Sequence, residues 1–94
     1  MSGIELISFD LKNADLRDAN LTGANLTAVN LTAAKLDGAN LTNTNLNYAN
    51  LYGANLYGAD LTSANLTEVT IDEVTRLRCG SRNCVSTLPM NTST

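Results

Sequence analysis

Leucine returns at every fifth position of this chain: Leu6, Leu11, Leu16, Leu21, Leu26, Leu31, Leu36, Leu41, Leu46, Leu51, Leu56, Leu61 and Leu66, with Ile71 closing the series. An α-helix advances ~100° per residue, so a five-residue step would turn each leucine ~140° from the last and spread the apolar set over every side. An unbroken strand fails as well, because an odd period throws successive leucines onto opposite faces of the pleat. A bend in every unit reconciles the spacing with burial. If the residue two before Leu and Leu itself point inward, the residue between them points out, and the next two turn a corner, every unit presents the same inward pair.

The sequence supplies that second inward series. Two positions before each centre stand Ile4, Phe9, Ala14, Ala19, Ala24, Val29, Ala34, Ala39, Thr44, Ala49, Ala54, Ala59, Ala64 and Val69, of which only Thr44 is polar. Segments such as Ala19-Asn20-Leu21-Thr22-Gly23, Ala39-Asn40-Leu41-Thr42-Asn43 and Ala59-Asp60-Leu61-Thr62-Ser63 resemble the A(D/N)LXX unit of the pentapeptide-repeat family. The match runs from Ile4 to Glu73. Periodicity alone admits a triangular coil, but the resemblance implies four units per turn. The expected fold is therefore an all-β solenoid, a right-handed quadrilateral parallel β-helix, and fourteen units at four per turn make about three and a half coils. Residues 4–73 form this β-helix, residues 74–88 a C-terminal cap and residues 89–94 a disordered tail.

Composition narrows the chemistry. The 94 residues contain no His and no Trp, which removes the commonest acid/base group and metal ligand. Ser and Thr are plentiful, yet no ordinary base is available to activate one. Carboxylates such as Asp15 and Asp18, or Asp72 and Glu73, would need a pocket and a perturbed pKa, and a filled prism offers no cleft. Cys79 and Cys84 are the only cysteines, too few for a zinc site without histidine, and they are either free thiols or a local disulfide. No catalytic residue, metal site, cofactor or small-molecule substrate is expected, and the chain reads as non-enzymatic. The N-terminus shows no basic stretch followed by a long apolar run, and no segment approaches a membrane span, so a soluble cytoplasmic protein is expected.

A solenoid exposes its core and unpaired edges at both ends unless something covers them. At the C-terminal side Thr70-Ile71-Asp72-Glu73 fits a capping box, Ile71, Val74 and Leu77 recur at helical spacing, and Gly80 can stop the helix, which predicts a short capping helix over residues 71–79. No comparable cap precedes Ile4. Ile7 and Phe9 add apolar surface there, and Phe9 either fills the wider end of the core or joins Ile7 in pairing with a second molecule as an end-to-end homodimer. The alternative is a monomer.

Three surface readings follow. Some members of the family inhibit or protect DNA gyrase by mimicking duplex DNA, which needs an extended acidic field. Residues 4–73 carry all nine carboxylates against Lys12, Arg17 and Lys35, a net −6, but Asp37 is the only carboxylate between the units centred on Leu21 and Leu56. Gyrase mimicry is thus the alternative to a protein-protein interaction module, for which the candidate surface is Tyr48, Tyr52 and Tyr57, the only tyrosines of the chain. Tyrosine packed beside Gly53 and Gly58 on a β-surface is the plainer explanation of the same cluster. Thr22, Thr42 and Thr62, with Asn25, Asn45 and Asn65, recur at twenty-residue spacing as polar ladders, for which Thr–Thr and Asn–Asn contacts between coils are reason enough. Arg76, Arg78 and Arg82 form a small cluster without interleaved aromatics, so DNA binding is not expected.

Overall fold

The structure is a computed structural model that describes residues 2–72. The backbone turns after every leucine. In each unit the carbonyl of Leu accepts a hydrogen bond from the N–H three residues on, as in Ala24 N to Leu21 O at 3.0 Å and Ala54 N to Leu51 O at 2.9 Å. Only the second of the two corner residues has positive φ, which defines a type II turn. Five corners use glycine there, whereas Ser8, Asn13, Asp18, Ala28, Ala33, Asn43, Tyr48, Ser63 and Glu68 hold φ between 57° and 63°. A left-handed conformation costs an L-residue roughly 1–2 kcal/mol, so nine units accept strain that the repeat imposes on them. At Gly38 a Cβ would in addition run into the Asp18 carboxylate.

Between corners the chain extends for too few residues to make a long strand. Coil meets coil at single parallel bridges, always twenty residues apart: Glu5 with Asn25 and Asn25 with Asn45, Asp10 with Asn30, Asp15 with Lys35, Asn20 with Asn40. Four five-residue units therefore complete a turn. The bridges stack four residues high on two faces, ending at Asn65 and Thr70, and three high on the other two, ending at Asn55 and Asp60. The resulting cross-section has a corner every five residues and a side chain of the same unit position directly above and below. At Asp72 the register gives way, because its carboxylate, in place of a main-chain carbonyl, accepts the N–H of Gly53 at 3.3 Å.

Both inward series meet on the axis. Leu21, Leu26, Leu31, Leu36, Leu41, Leu46, Leu51, Leu56 and Leu61 are buried, as are Ala24, Val29, Ala34, Ala39, Ala49, Ala54 and Ala59. Each such leucine contributes roughly 1.5–3 kcal/mol by leaving water. Thr44 shares the core because its hydroxyl donates to Leu41 O at 2.8 Å, which answers the one polar side chain of the inward series. Leu16 differs from the other centres expected in the core: with Ile4, Leu6 and Leu11 it is half-buried, since it belongs to the outermost described level and has a coil on one side only. The same geometry settles Phe9. Its side chain does not fill the end of the core but lies 53% exposed, with Ile7 50% exposed in the same unit. The capping helix, the tail and both cysteines lie outside the described residues apart from Ile71 and Asp72, neither of which is helical.

Two substitutions test this packing. Ala39→Phe or Ala54→Phe forces a ring into a filled column and is expected to lower stability by at least about 3 kcal/mol, read as a collapse of the thermal melt. Ala28→Gly relieves a left-handed alanine and should raise stability by about 0.5–1 kcal/mol, or several degrees in Tm.

Candidate interaction surfaces

A unit of five residues has five backbone N–H groups, and the unit Asn45-Leu46-Asn47-Tyr48-Ala49 shows where they go. Leu46 N donates to Asn65 O at 2.8 Å and Tyr48 N to Thr67 O at 2.9 Å, both on the following coil. Asn45 N donates to Ala24 O on the preceding coil at 2.9 Å, and Ala49 N closes its own corner on Leu46 O. The fifth, Asn47 N, faces no carbonyl and donates instead to Asn45 Oδ1 at 3.1 Å. Eleven units repeat this side-chain bond, with asparagine as acceptor in eight and Asp10, Asp15 and Asp60 in three. That is the physical need behind the D/N position, since an Asx oxygen two residues upstream reaches the one donor that coil pairing leaves over.

The polar columns stack in register, Asn25, Asn45 and Asn65 being parallel bridge partners, but their side-chain hydrogen bonds are local. Thr22, Thr42 and Thr62 do not bond to one another along the column, and neither do Asn25, Asn45 and Asn65. Each threonine hydroxyl donates to the Asx oxygen of its own unit, as in Thr22 to Asn20 at 2.7 Å, and Thr27, Thr32 and Thr67 do likewise at 2.6–2.7 Å. Repetition at twenty residues thus combines local turn chemistry with the stacking of the same unit position on one face. Asn47 is the misfit, since it occupies a corner position where Thr27 and Thr67 stand in neighbouring coils, and its own Oδ1 is buried without a partner.

Charge is concentrated on the face whose outward column is Asp15, Lys35 and Asn55. Arg17 forks onto Asp15 through Nε at 2.8 Å and Nη2 at 2.7 Å. That side-chain bond, helped by the Arg17 N–H, holds the Asp15 carboxyl down at about 2 and raises the guanidinium in return. Both groups are about half exposed, so the pair adds little stability. The Asp60 carboxyl is also lowered, first by the Thr62 hydroxyl and then by the Thr62 N–H. A shallow depression of about 330 Å3 opens on the charged face, lined by Arg17, Ala33, Ala34, Lys35, Asp37, Gly53 and Asn55.

The tyrosines stand at three successive corners of one coil. Tyr48 is the left-handed residue of its corner, and Tyr52 and Tyr57 are the first residues of theirs; they are 64%, 43% and 65% exposed. Among the described residues no group of three or more His, Cys, Asp or Glu could hold a metal ion, and no helix is long and apolar enough to cross a membrane.

Bent five-residue units, a leucine axis and a twenty-residue parallel register define a solenoid built from pentapeptides. The profile of pentapeptide repeats matches eight copies over residues 1–37, 24–62 and 34–72, and the chain belongs to the pentapeptide-repeat family. Among solved structures it is similar to a pentapeptide repeat protein of the Arabidopsis thaliana thylakoid lumen, with 33% identity, TM-score 0.72, and coverage of 73% of this chain and 48% of that one. It is also similar to the pentapeptide repeat protein Rfr23 of the cyanobacterium Cyanothece 51142, with 29% identity, TM-score 0.50, and coverage of 79% and 60% respectively. The chain thus spans about half to three fifths of the length of these relatives. No curated protein matches it.

Asn47→Thr is expected to supply the missing hydroxyl to Asn45 and remove the orphaned oxygen, raising stability by about 1 kcal/mol in chemical denaturation. The acid limb of stability has a defined sign. A carboxyl lowered in the folded state stabilises above its unfolded value of roughly 3.9, and that contribution is lost as pH falls through the folded value. Because most Asx acceptors are asparagine and do not titrate, melts should change little from about pH 7 to pH 5 and fall only below about pH 4. Asp60→Asn, which keeps the acceptor, should make that fall shallower.

Proposed function

We propose that the chain is a non-enzymatic protein-interaction module whose contact surface is the coil bearing Tyr48, Tyr52 and Tyr57. The supporting observation is their placement: three rings project from consecutive corners, while the neighbouring outward positions are mainly short Asn and Thr side chains tied into their own turns. Tyrosine offers a large, stiff contact area with a polar tip and is enriched at interfaces. Tyr48 strengthens the case, because a bulky residue at φ 62° is held against its own backbone preference and aimed at solvent.

Kinship supports carrying two further features of the family into this reading, a right-handed winding and a C-terminal cap. Ile7 and Phe9, half exposed on the outermost described level, supply a second contact for an end-to-end homodimer, and sedimentation across a dilution series checks it. Gyrase mimicry finds no favouring observation in the neutral middle coils. Inhibition of gyrase supercoiling at stoichiometric dose would replace the present reading with that one.

Tyr52→Ala combined with Tyr57→Ala removes exposed rings and should leave stability within about 0.5 kcal/mol of the parent. The same variant should lose the proteins that the parent retains in quantitative affinity capture from its native cell. Capture unchanged by the pair sinks the tyrosine surface.

A further inference from the structure

Of the thirteen leucine-centred units, two lack the Asx acceptor, those that begin with Glu5 and Lys35. The first lies on the outermost described level. The second lies inside the rod, where its other bonds are intact: Lys35 N reaches Ala14 O and Leu36 N reaches Asn55 O, both at 2.8 Å, and Gly38 N reaches Tyr57 O at 2.9 Å. Lysine has no acceptor to offer, so the N–H of Asp37 is left without a protein partner, whereas the equivalent Arg17 and Tyr57 donors above and below it are taken by Asp15 and Asn55.

The replacement does more than delete an oxygen. It also brings a cation to this face, and although the ammonium has no carboxylate within ion-pair distance, its charge acts on Asp15, which Arg17 engages directly. Asp37 and Asp18 are neighbours of the Arg17 guanidinium, which offsets part of their charge. Lys35 and Asp37 both line the depression on this face, beside the low corner formed by Ala33 and Gly53. An open N–H, a cation outside ion-pair distance of any described carboxylate and a recess thus coincide on one face.

We propose that this recess binds a carboxylate side chain presented by a partner protein, the incoming oxygen completing the turn from outside. One carboxylate oxygen accepts from Asp37 N–H, where an Asx oxygen sits in the other interior units. Its second oxygen faces the Lys35 ammonium. A charge-assisted pair of this kind is stronger than a neutral one, which favours Asp or Glu over Asn or Gln as the ligand. The site adjoins the tyrosine surface, since Tyr57 stands next to Asp37 in the column, but Tyr52→Ala with Tyr57→Ala leaves Lys35 and the Asp37 N–H in place, so either reading can fail without the other.

Amide-resolved NMR titration of the 15N-labelled chain with acetyl-Gly-Asp-Gly-amide tests it. The expected result is a saturable shift of the Asp37 amide, with acetyl-Gly-Asn-Gly-amide at least tenfold weaker. Lys35→Asn restores the internal acceptor, so it should melt no lower than the parent yet lose the saturable response. Lys35→Met leaves the N–H open without the cation and should weaken the acidic peptide to the level of the neutral one. A response that never saturates, one that persists in Lys35→Asn, or equal affinity for the two peptides overturns the proposal.

Discussion

Everything in this molecule depends on finding an acceptor for each of five N–H groups in a unit too short to be a strand. Three of them go to adjacent coils and one closes the corner, which are main-chain solutions open to any sequence. The remaining donor points along the outside of the rod, where no carbonyl can reach it. Only a short side chain with an oxygen in the right place can answer it, so an outward position that a helix or sheet would leave free becomes nearly as restricted as the buried leucine. Asn and Asp meet that need, and a threonine at the next outward position adds a second donor to the same oxygen.

The corner carries the opposite sort of constraint. Its second residue must be left-handed in every unit, which glycine meets freely and nine other residues meet under strain. A single strained corner would relax. Here seven of the nine are clamped between coils, because the N–H of the strained residue bonds to the following coil, as Ala28 does to Asn47 and Ala33 to Tyr52. Strain is therefore held cooperatively, and the same clamping lets a residue as large as Tyr48 occupy a position that local preference would refuse it.

How much of this was legible beforehand follows from which interactions have a sequence period. The leucine and alanine columns do, because burial demands the same two side chains in every unit. That the coil holds four units was not readable from period five alone and came from family likeness; the bridges between residues twenty apart show it. The work of the Asx oxygen was missed, although its signal stood at every repeat, because a column of identical polar residues suggests contact along the column. The real contact is two residues away in the chain. Phe9 occupies an inward position by period and by its backbone bonds and yet is half exposed, since the pattern tells where a unit points but not whether a coil lies beyond it. The open donor at Asp37 becomes visible only once the other eleven units show what is missing.

The stacking at twenty residues also sets the way such a surface can change through insertions and deletions. Loss of one or two residues would derail the axis, whereas loss of a whole pentapeptide keeps the axis and rotates every later side chain by a quarter turn, carrying the tyrosines onto a new face. Loss of four consecutive units restores all columns and shortens the rod by about one strand spacing, ~4.8 Å. The interior is thus tolerant of edits that thoroughly rewrite the exterior, and length and surface pattern can diverge among relatives while the leucine column stays the same.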